Sequence, residues 1–207
     1  MKKIVVSLIL AVLLANAAGA AFSKEPEQFV FRDVFTWGMS KDEVKTIVPD
    51  VKERGERSYA EGAVYEVFTL YPVSVSRYTD AAVAFAFSDD RLYETVYWFN
   101  TRVDTDYLMR ALRIVYGPEE PFDLNACADV LHEYLALTDI IETRTEPIPV
   151  YSADHIARIL DPEDCEDFYI WKTADGTTIA LMDYENDQAI FYYNPDVRPG
   201  ILITDGL

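Results

Sequence analysis

Cysteine and histidine are scarce in this sequence, which has two of each among its 207 residues. So few thiols and imidazoles argue against a transition-metal site, because zinc takes about four ligands, mostly of these types. The string HEYLA at His132 begins like a zinc-protease motif, but Ala136 stands where that motif needs its second histidine. We therefore expect no metal ion and no cofactor.

The motifs of several enzyme classes are also missing. The sequence has no Gly-x-Ser-x-Gly, no glycine-rich phosphate loop and no Ser-x-x-Lys. With 36 aspartates and glutamates, a carboxylate pair at glycosidase spacing stays open as an alternative, although no feature selects two of them. We expect a protein that is not an enzyme, with a secreted hydrolase acting through paired carboxylates as the alternative.

Positive charge is in short supply, since 18 lysines and arginines give a formal net charge of −18. This balance argues against nucleic acid and anionic membranes as partners. Two acidic clusters offer oxygen ligands for calcium: Asp161, Glu163, Asp164, Glu166 and Asp167, and Asp183, Glu185 and Asp187. Both lack the glycine and the terminal glutamate of an EF-hand loop, so we interpret them as a solvated acidic surface.

The apolar run from Ile4 to Leu14 is well short of the ~20 residues that span a bilayer as a helix. It follows Lys2 and Lys3 and precedes Ala18-Gly19-Ala20, which is the pattern of a secretory signal peptide. We predict that residues 1–20 are removed and that the chain is secreted or lies in the periplasm or cell envelope, with no membrane insertion after cleavage. Because two lysines leave with this segment, the formal net charge falls from −18 to −20.

Export also bears on Cys127 and Cys165, the two cysteines. Two cysteines in an exported chain predict a disulfide, which would stabilise the fold by about 4 kcal/mol on the chain-entropy estimate. The alternative is two separate buried thiols.

The central element is a hairpin from Asp80 to Phe99, where apolar residues alternate on both sides of a Ser-Asp-Asp-Arg turn. A two-residue turn would place Val83, Phe85 and Phe87 on one face with Leu92, Val96 and Trp98, and Ala82, Ala84 and Ala86 on the other with Tyr93, Thr95, Tyr97 and Phe99. A shift of register by one residue would mix these two sets.

Local motifs predict the helices. Ser40 and Glu43 form a capping box at the start of a short helix that Pro49 ends. Asp104 caps a helix that stops at Gly117-Pro118. Two further helices are predicted from Asp123 to about Glu142 and from Ser152 to before Asp161.

Together these elements predict an α+β fold for residues 21–207, a single domain. We expect a largely antiparallel sheet of about six strands, in two meanders of three, with helices on one side. Pro72 marks an edge or a bulge, Asp175-Gly176 predicts a type I′ hairpin, and the charged segment 51–62 is a loop or hairpin edge. Residues 21–103 and 104–207 are candidate halves of a degenerate tandem repeat.

Three short motifs carry a resemblance. Phe35 with Trp-Gly-Met-Ser-Lys-Asp-Glu-Val at 37–44, the string Ser-Asp-Asp-Arg-Leu-Tyr, and Tyr-Gly-Pro at 116–118 resemble a group of secreted bacterial proteins of unassigned function. More distantly, the helix start followed by a three-stranded sheet is similar to the SmpA/OmlA and β-lactamase-inhibitor-protein folds. Those families bind other proteins, so the resemblance implies a protein-binding module. It covers roughly residues 35–118, and the acidic helical segment 119–166 departs from it.

Aromatic residues supply the candidate binding surface. Tyrosine and tryptophan give a large amphipathic contact area at little entropic cost, so Tyr93, Tyr97, Tyr169 and Trp171 are predicted to bind a protein partner or a sugar. The three alanines of the hairpin would form a shallow floor beside Tyr93 and Tyr97. The alternative is that these rings belong to the core.

Overall fold

The computed structural model describes residues 35–58, 64–76, 79–141, 153–161, 163, 167–184, 187–194 and 196–197. The predicted signal peptide therefore lies outside the described residues. The helices in the described part are α1 (Lys41–Ile47), α2 (Thr105–Tyr116), α3 (Leu124–Ile141) and α4 (Ala153–Ile159). The strands are β1 (Lys52–Ser58), β2 (Val64–Ser76), β3 (Thr79–Ser88), β4 (Arg91–Phe99), β5 (Phe168–Lys172), β6 (Thr178–Tyr184) and β7 (Asp187–Tyr193).

All seven strands form one antiparallel sheet in the order β1-β2-β3-β4-β7-β6-β5. The α+β fold with an antiparallel sheet is thus confirmed. The strand count exceeds the expected six because the charged segment at Lys52 pairs with β2 as an edge strand. Its charges and its bulge between Glu53 and Gly55 are typical of an edge that resists pairing with another chain. The sheet runs without a break through both candidate halves of the chain.

Helices cover both faces of the sheet, which corrects the prediction of helices on one side. On one face, here called the α2 face, Val44 of α1 and Leu108 and Leu112 of α2 pack against the sheet. On the opposite face, here called the α3 face, Cys127 and Val130 of α3 pack against the sheet. The central strands carry apolar residues on both faces, so cover on both faces is needed to exclude water.

The hairpin between β3 and β4 contains the two-residue turn that its sequence predicts, with Asp89 and Asp90 both at positive φ. One bulge then changes the pairing: Phe87 lies opposite Leu92, but Ala86 lies opposite Glu94. The extra residue, Tyr93, shifts the register of the rest of β4 by one.

The predicted face of Tyr93, with the alanines, is confirmed, but the predicted faces of β4 are wrong beyond Tyr93. Tyr97 and Phe99 lie on the α2 face with Val83 and Phe85, whereas Val96 and Trp98 lie on the α3 face with the alanines. A shift by one residue moves every later side chain to the other face of the sheet, so a single bulge accounts for all of these differences.

Two other turn predictions have different outcomes. Asp175-Gly176 belongs to a three-residue loop, in which the Thr173 amide donates to the Thr177 carbonyl at 2.9 Å and Gly176 has φ +81°. The predicted type I′ turn is thus wrong, since only the last residue of the loop needs positive φ. At Pro72 the pairing of β2 with β3 shifts between Leu70 and Val73, which confirms the predicted bulge.

The predicted start and stop of α2 are confirmed. The Asp104 carboxylate accepts a hydrogen bond from the Tyr107 amide at 2.9 Å, and the helix ends at Gly117 with φ +82°. Leu108 and Leu112 are buried, whereas Val115 is exposed. No helix in the described ranges is long and apolar enough to cross a membrane.

The capping box of α1 is also confirmed. The Ser40 hydroxyl accepts from the Glu43 amide at 3.3 Å, and the Ser40 amide donates to the Glu43 carboxylate at 2.8 Å. This amide, with the hydroxyl of the same serine, holds the pKa of Glu43 below its ordinary value.

Ser40→Ala is expected to lower the free energy of unfolding by about 1 kcal/mol, because a helix amide loses its acceptor. Denaturant unfolding checks this, with Ser40→Asp as the control that keeps an acceptor; an unchanged midpoint for Ser40→Ala would exclude the cap.

Candidate functional site

The four predicted binding residues are divided between two buried layers. Tyr97 and Trp171 lie in the core of the α2 face, and the half-buried Tyr169 packs against the same core. Tyr93 is buried on the α3 face. Because helices cover both faces of the sheet, these rings do not form one exposed surface.

The predicted disulfide stays a prediction. Cys127 is buried on α3, and the described residues contain no free cysteine. Cys165 lies outside the described residues.

The acidic clusters lie only partly in the described part of the chain, because Asp164, Glu166 and Glu185 are outside it. Asp183 is buried and accepts hydrogen bonds from Arg102 and Thr105. Among the described residues, no group of three aspartate, glutamate, histidine or cysteine side chains is placed to hold a metal ion.

An open polar depression of about 580 Å³ lies beside these contacts, lined by residues 102–106 and by Asp167 and Tyr169. Asp104 already caps α2 and Arg102 is paired with Asp183, so much of its polar lining has a structural role. The pKa of the Tyr169 phenol is raised by burial and by the nearby aspartates Asp167 and Asp106.

A better-defined site lies on the α3 face. A groove of about 450 Å³ opens between the second half of α3 and strands β1, β2, β3, β4 and β7. Its lining residues are Arg54, Thr69, Tyr71, Ala82, Ala84, Trp98, Asn100, Tyr134, Thr138 and Asp187. We call this site the alanine groove.

The floor of the groove consists of Ala82 and Ala84 of β3, which point to the same face of the sheet. Side chains this small leave space between the strand and α3, where Tyr134 and Thr138 stand one helical turn apart. Of the three alanines predicted to form a shallow floor, Ala82 and Ala84 line the groove, whereas Ala86 is buried and does not. The aromatic rim of the groove comes from other residues than the predicted Tyr93 and Tyr97.

Trp98 of β4 and Tyr134 of α3 form the aromatic side of the groove, with ring centroids 5.5 Å apart at 45°. Both rings donate to Asp187 of β7: the Trp98 indole N–H to Oδ1 at 3.2 Å and the Tyr134 hydroxyl to Oδ2 at 2.6 Å. These bonds fix the orientation of the two rings. Tyr71 adds a third ring, which is 58% exposed.

At the other end of the groove lies Arg54 of β1, whose Nε donates to the Thr69 hydroxyl at 2.7 Å. This bond places the guanidinium over β2, whereas the bond from Trp98 places the Asp187 carboxylate next to β4. Thr69 pairs with Ala84 and Trp98 pairs with Ala82, so the residues that anchor the two charges are two strands apart across the sheet and two residues apart along it. These spacings put the opposite charges roughly 12 Å apart.

The described lining of the groove combines aromatic rings, small apolar side chains and one charge of each sign. Asp187 is the one carboxylate among the described lining residues, and it already accepts two hydrogen bonds. Hydrolysis by paired carboxylates needs two of them across a cleft. His132 and Glu133, whose side chains approach to 3.4 Å, are buried in α3 and do not line the groove.

The alternating alanines of β3 indicate the floor of the groove. No motif in the sequence predicts that Tyr134 or Asp187 lies beside that floor. These two residues are 50 and more positions away in the chain, and pairing of β7 with β4 brings Asp187 to the site.

Comparisons of the chain with protein-family models, with curated proteins and with solved structures find no match.

Proposed function

We propose that this chain is an exported, non-enzymatic protein-binding module of the cell envelope or extracellular space, and that the alanine groove receives a side chain of the partner protein. The observation that carries the proposal is the groove itself, an alanine floor beside two fixed aromatic rings. The resemblance to protein-binding families, an expectation from the sequence, agrees with this function.

The composition of the groove supports recognition of a protein. Residues that dominate binding energy at protein interfaces are enriched in tryptophan, tyrosine and arginine. The groove presents all three types, in Trp98, Tyr71, Tyr134 and Arg54. Its volume of about 450 Å³ is sufficient to enclose one large side chain and part of the backbone that carries it.

The groove is also ordered before a partner arrives. Alanine has no side-chain rotamers to lose on binding, and the Trp98 and Tyr134 rings are already held by Asp187. A site with little left to order loses less entropy when the partner docks. The alternative of a carboxylate hydrolase has no comparable support in the described lining, where Asp187 is the single acid.

A groove-filling variant tests the proposal. A displayed library of random peptides is selected on the purified protein, and the selected peptides are measured against Ala82→Phe. A phenyl ring on the floor is expected to weaken their binding by about tenfold or more, because it occupies the space of the partner side chain. The matched control is Ile114→Ala, which removes an exposed apolar side chain from α2 on the opposite face and is expected to leave binding unchanged.

Denaturant unfolding confirms that each variant is folded, and Tyr71→Ala is a second variant that weakens the rim without filling the groove. Selected peptides that bind Ala82→Phe and Tyr71→Ala as tightly as the original protein would contradict the proposed function.

A further inference from the structure

We infer that the alanine groove selects a partner segment that carries two opposite charges, with a lysine or arginine side chain at Trp98, Tyr134 and Asp187 and an acidic group at Arg54. This inference rests on the proposed function and specifies the chemistry of the partner. It follows from the placement of one cation and one anion at the two ends of an apolar floor.

The end at Asp187 suits a cation. The faces of tryptophan and tyrosine rings attract an ammonium or guanidinium group within about 6 Å. Trp98 and Tyr134 bring two rings together beside a carboxylate, which adds its full charge to the attraction. A carboxylate has about four lone-pair positions, so the two bonds from the rings leave capacity for a bond from a ligand cation.

A neutral or acidic occupant fits this end less well. An apolar side chain would remove Asp187 from water without supplying a compensating charge, and an acidic one would add repulsion. The net charge of the protein also favours a basic side chain, since a formal net charge of −18 raises the local concentration of cationic groups.

The floor between the two ends suits the stem of the basic side chain. Lysine and arginine lay their methylene groups along apolar surfaces while the charged group stays at a polar site. Ala82 and Ala84 provide that apolar surface next to the Trp98 ring.

The end at Arg54 suits an anion. Arg54 is exposed, and its Nε–H···Thr69 bond orients the guanidinium at the edge of the floor. Because the two charged ends are roughly 12 Å apart and an extended chain rises about 3.3 Å per residue, the acidic group is expected within about four positions of the basic residue.

The displayed random peptides provide the first test. Peptides that lose binding in Ala82→Phe are expected to be enriched in lysine or arginine with aspartate or glutamate within about four positions. In the tightest such peptide, replacement of the basic residue by leucine is expected to weaken binding about tenfold, while exchange of lysine and arginine retains most of it.

A charge exchange provides the second test. Arg54→Glu is expected to weaken that peptide about tenfold, and a peptide with lysine in place of its acidic residue is expected to recover most of the loss. A role of Arg54 in folding alone would not produce this recovery. Arg54→Gln, which keeps a donor for Thr69, is expected to weaken the original peptide without affecting the fold.

Different results would overturn the charge selectivity and the proposed function. Peptides that depend on the groove but show no charge enrichment and tolerate both Arg54→Glu and the leucine replacement would overturn this inference and leave the proposed function standing. A selection that yields no peptide sensitive to Ala82→Phe and Tyr71→Ala would overturn both.

Discussion

Tyr97→Ala is expected to lower the free energy of unfolding by about 3–5 kcal/mol, as for other large buried aromatic residues. Tyr97 is fully buried on the α2 face, where its ring meets Tyr192 edge to face at 5.9 Å. Tyr192 in turn contacts Tyr116 of α2 at 6.3 Å. Removing the Tyr97 ring therefore leaves a cavity in the core of the α2 face.

The measurement is denaturant unfolding of the variant beside Tyr71→Ala, a matched tyrosine replacement at a position that is 58% exposed. The control is expected to lose less than about 1 kcal/mol, since little of its ring is removed from water. Equal stability of the two variants would show that the Tyr97 ring is not packed in the core.

Trp171→Ala is expected to have a similarly large effect, again about 3–5 kcal/mol. Trp171 of β5 is buried, and its indole N–H donates to the Gly117 carbonyl at 3.0 Å. This bond ties the outer strand of the sheet to the end of α2. The replacement thus removes both a large apolar group and a long-range hydrogen bond.

Trp171→Phe separates these two contributions. It keeps an aromatic ring in the core but removes the donor to Gly117, so its cost is expected to be about 1–2 kcal/mol. Both variants are measured by denaturant unfolding. If Trp171→Ala cost no more than Trp171→Phe, the indole ring would not be packed in the core.

The sequence predicts well those features that depend on neighbouring residues. Ser40 and Glu43 form the capping box, and Asp104 and Gly117 bound α2, because each motif acts within one or two turns of backbone. The two-residue turn at Asp89 is of the same kind, since it closes a hairpin between adjacent strands.

Features that depend on distant parts of the chain were not predictable. The bulge at Tyr93 has no local motif, yet it exchanges the faces of Tyr97 and Trp98 and thereby places Trp98 in the alanine groove. The packing of α3 on the α3 face depends on distant residues in the same way, because no motif within α3 indicates which side of the sheet it covers. Asp187 reaches the groove only through the pairing of β7 with β4.

The three tryptophans allow the most direct test of the alanine groove. Each indole N–H has a different acceptor: Trp37 donates to Thr177, Trp98 to Asp187 and Trp171 to Gly117. Only Trp98 lines the groove. The measurement is a nuclear magnetic resonance titration of the indole N–H signals, in protein with isotopically labelled tryptophan, with the tightest selected peptide. Trp98→Phe identifies its signal. The Trp98 signal is expected to shift until the site is saturated while those of Trp37 and Trp171 stay in place; a Trp98 signal that does not move at saturation would contradict the account.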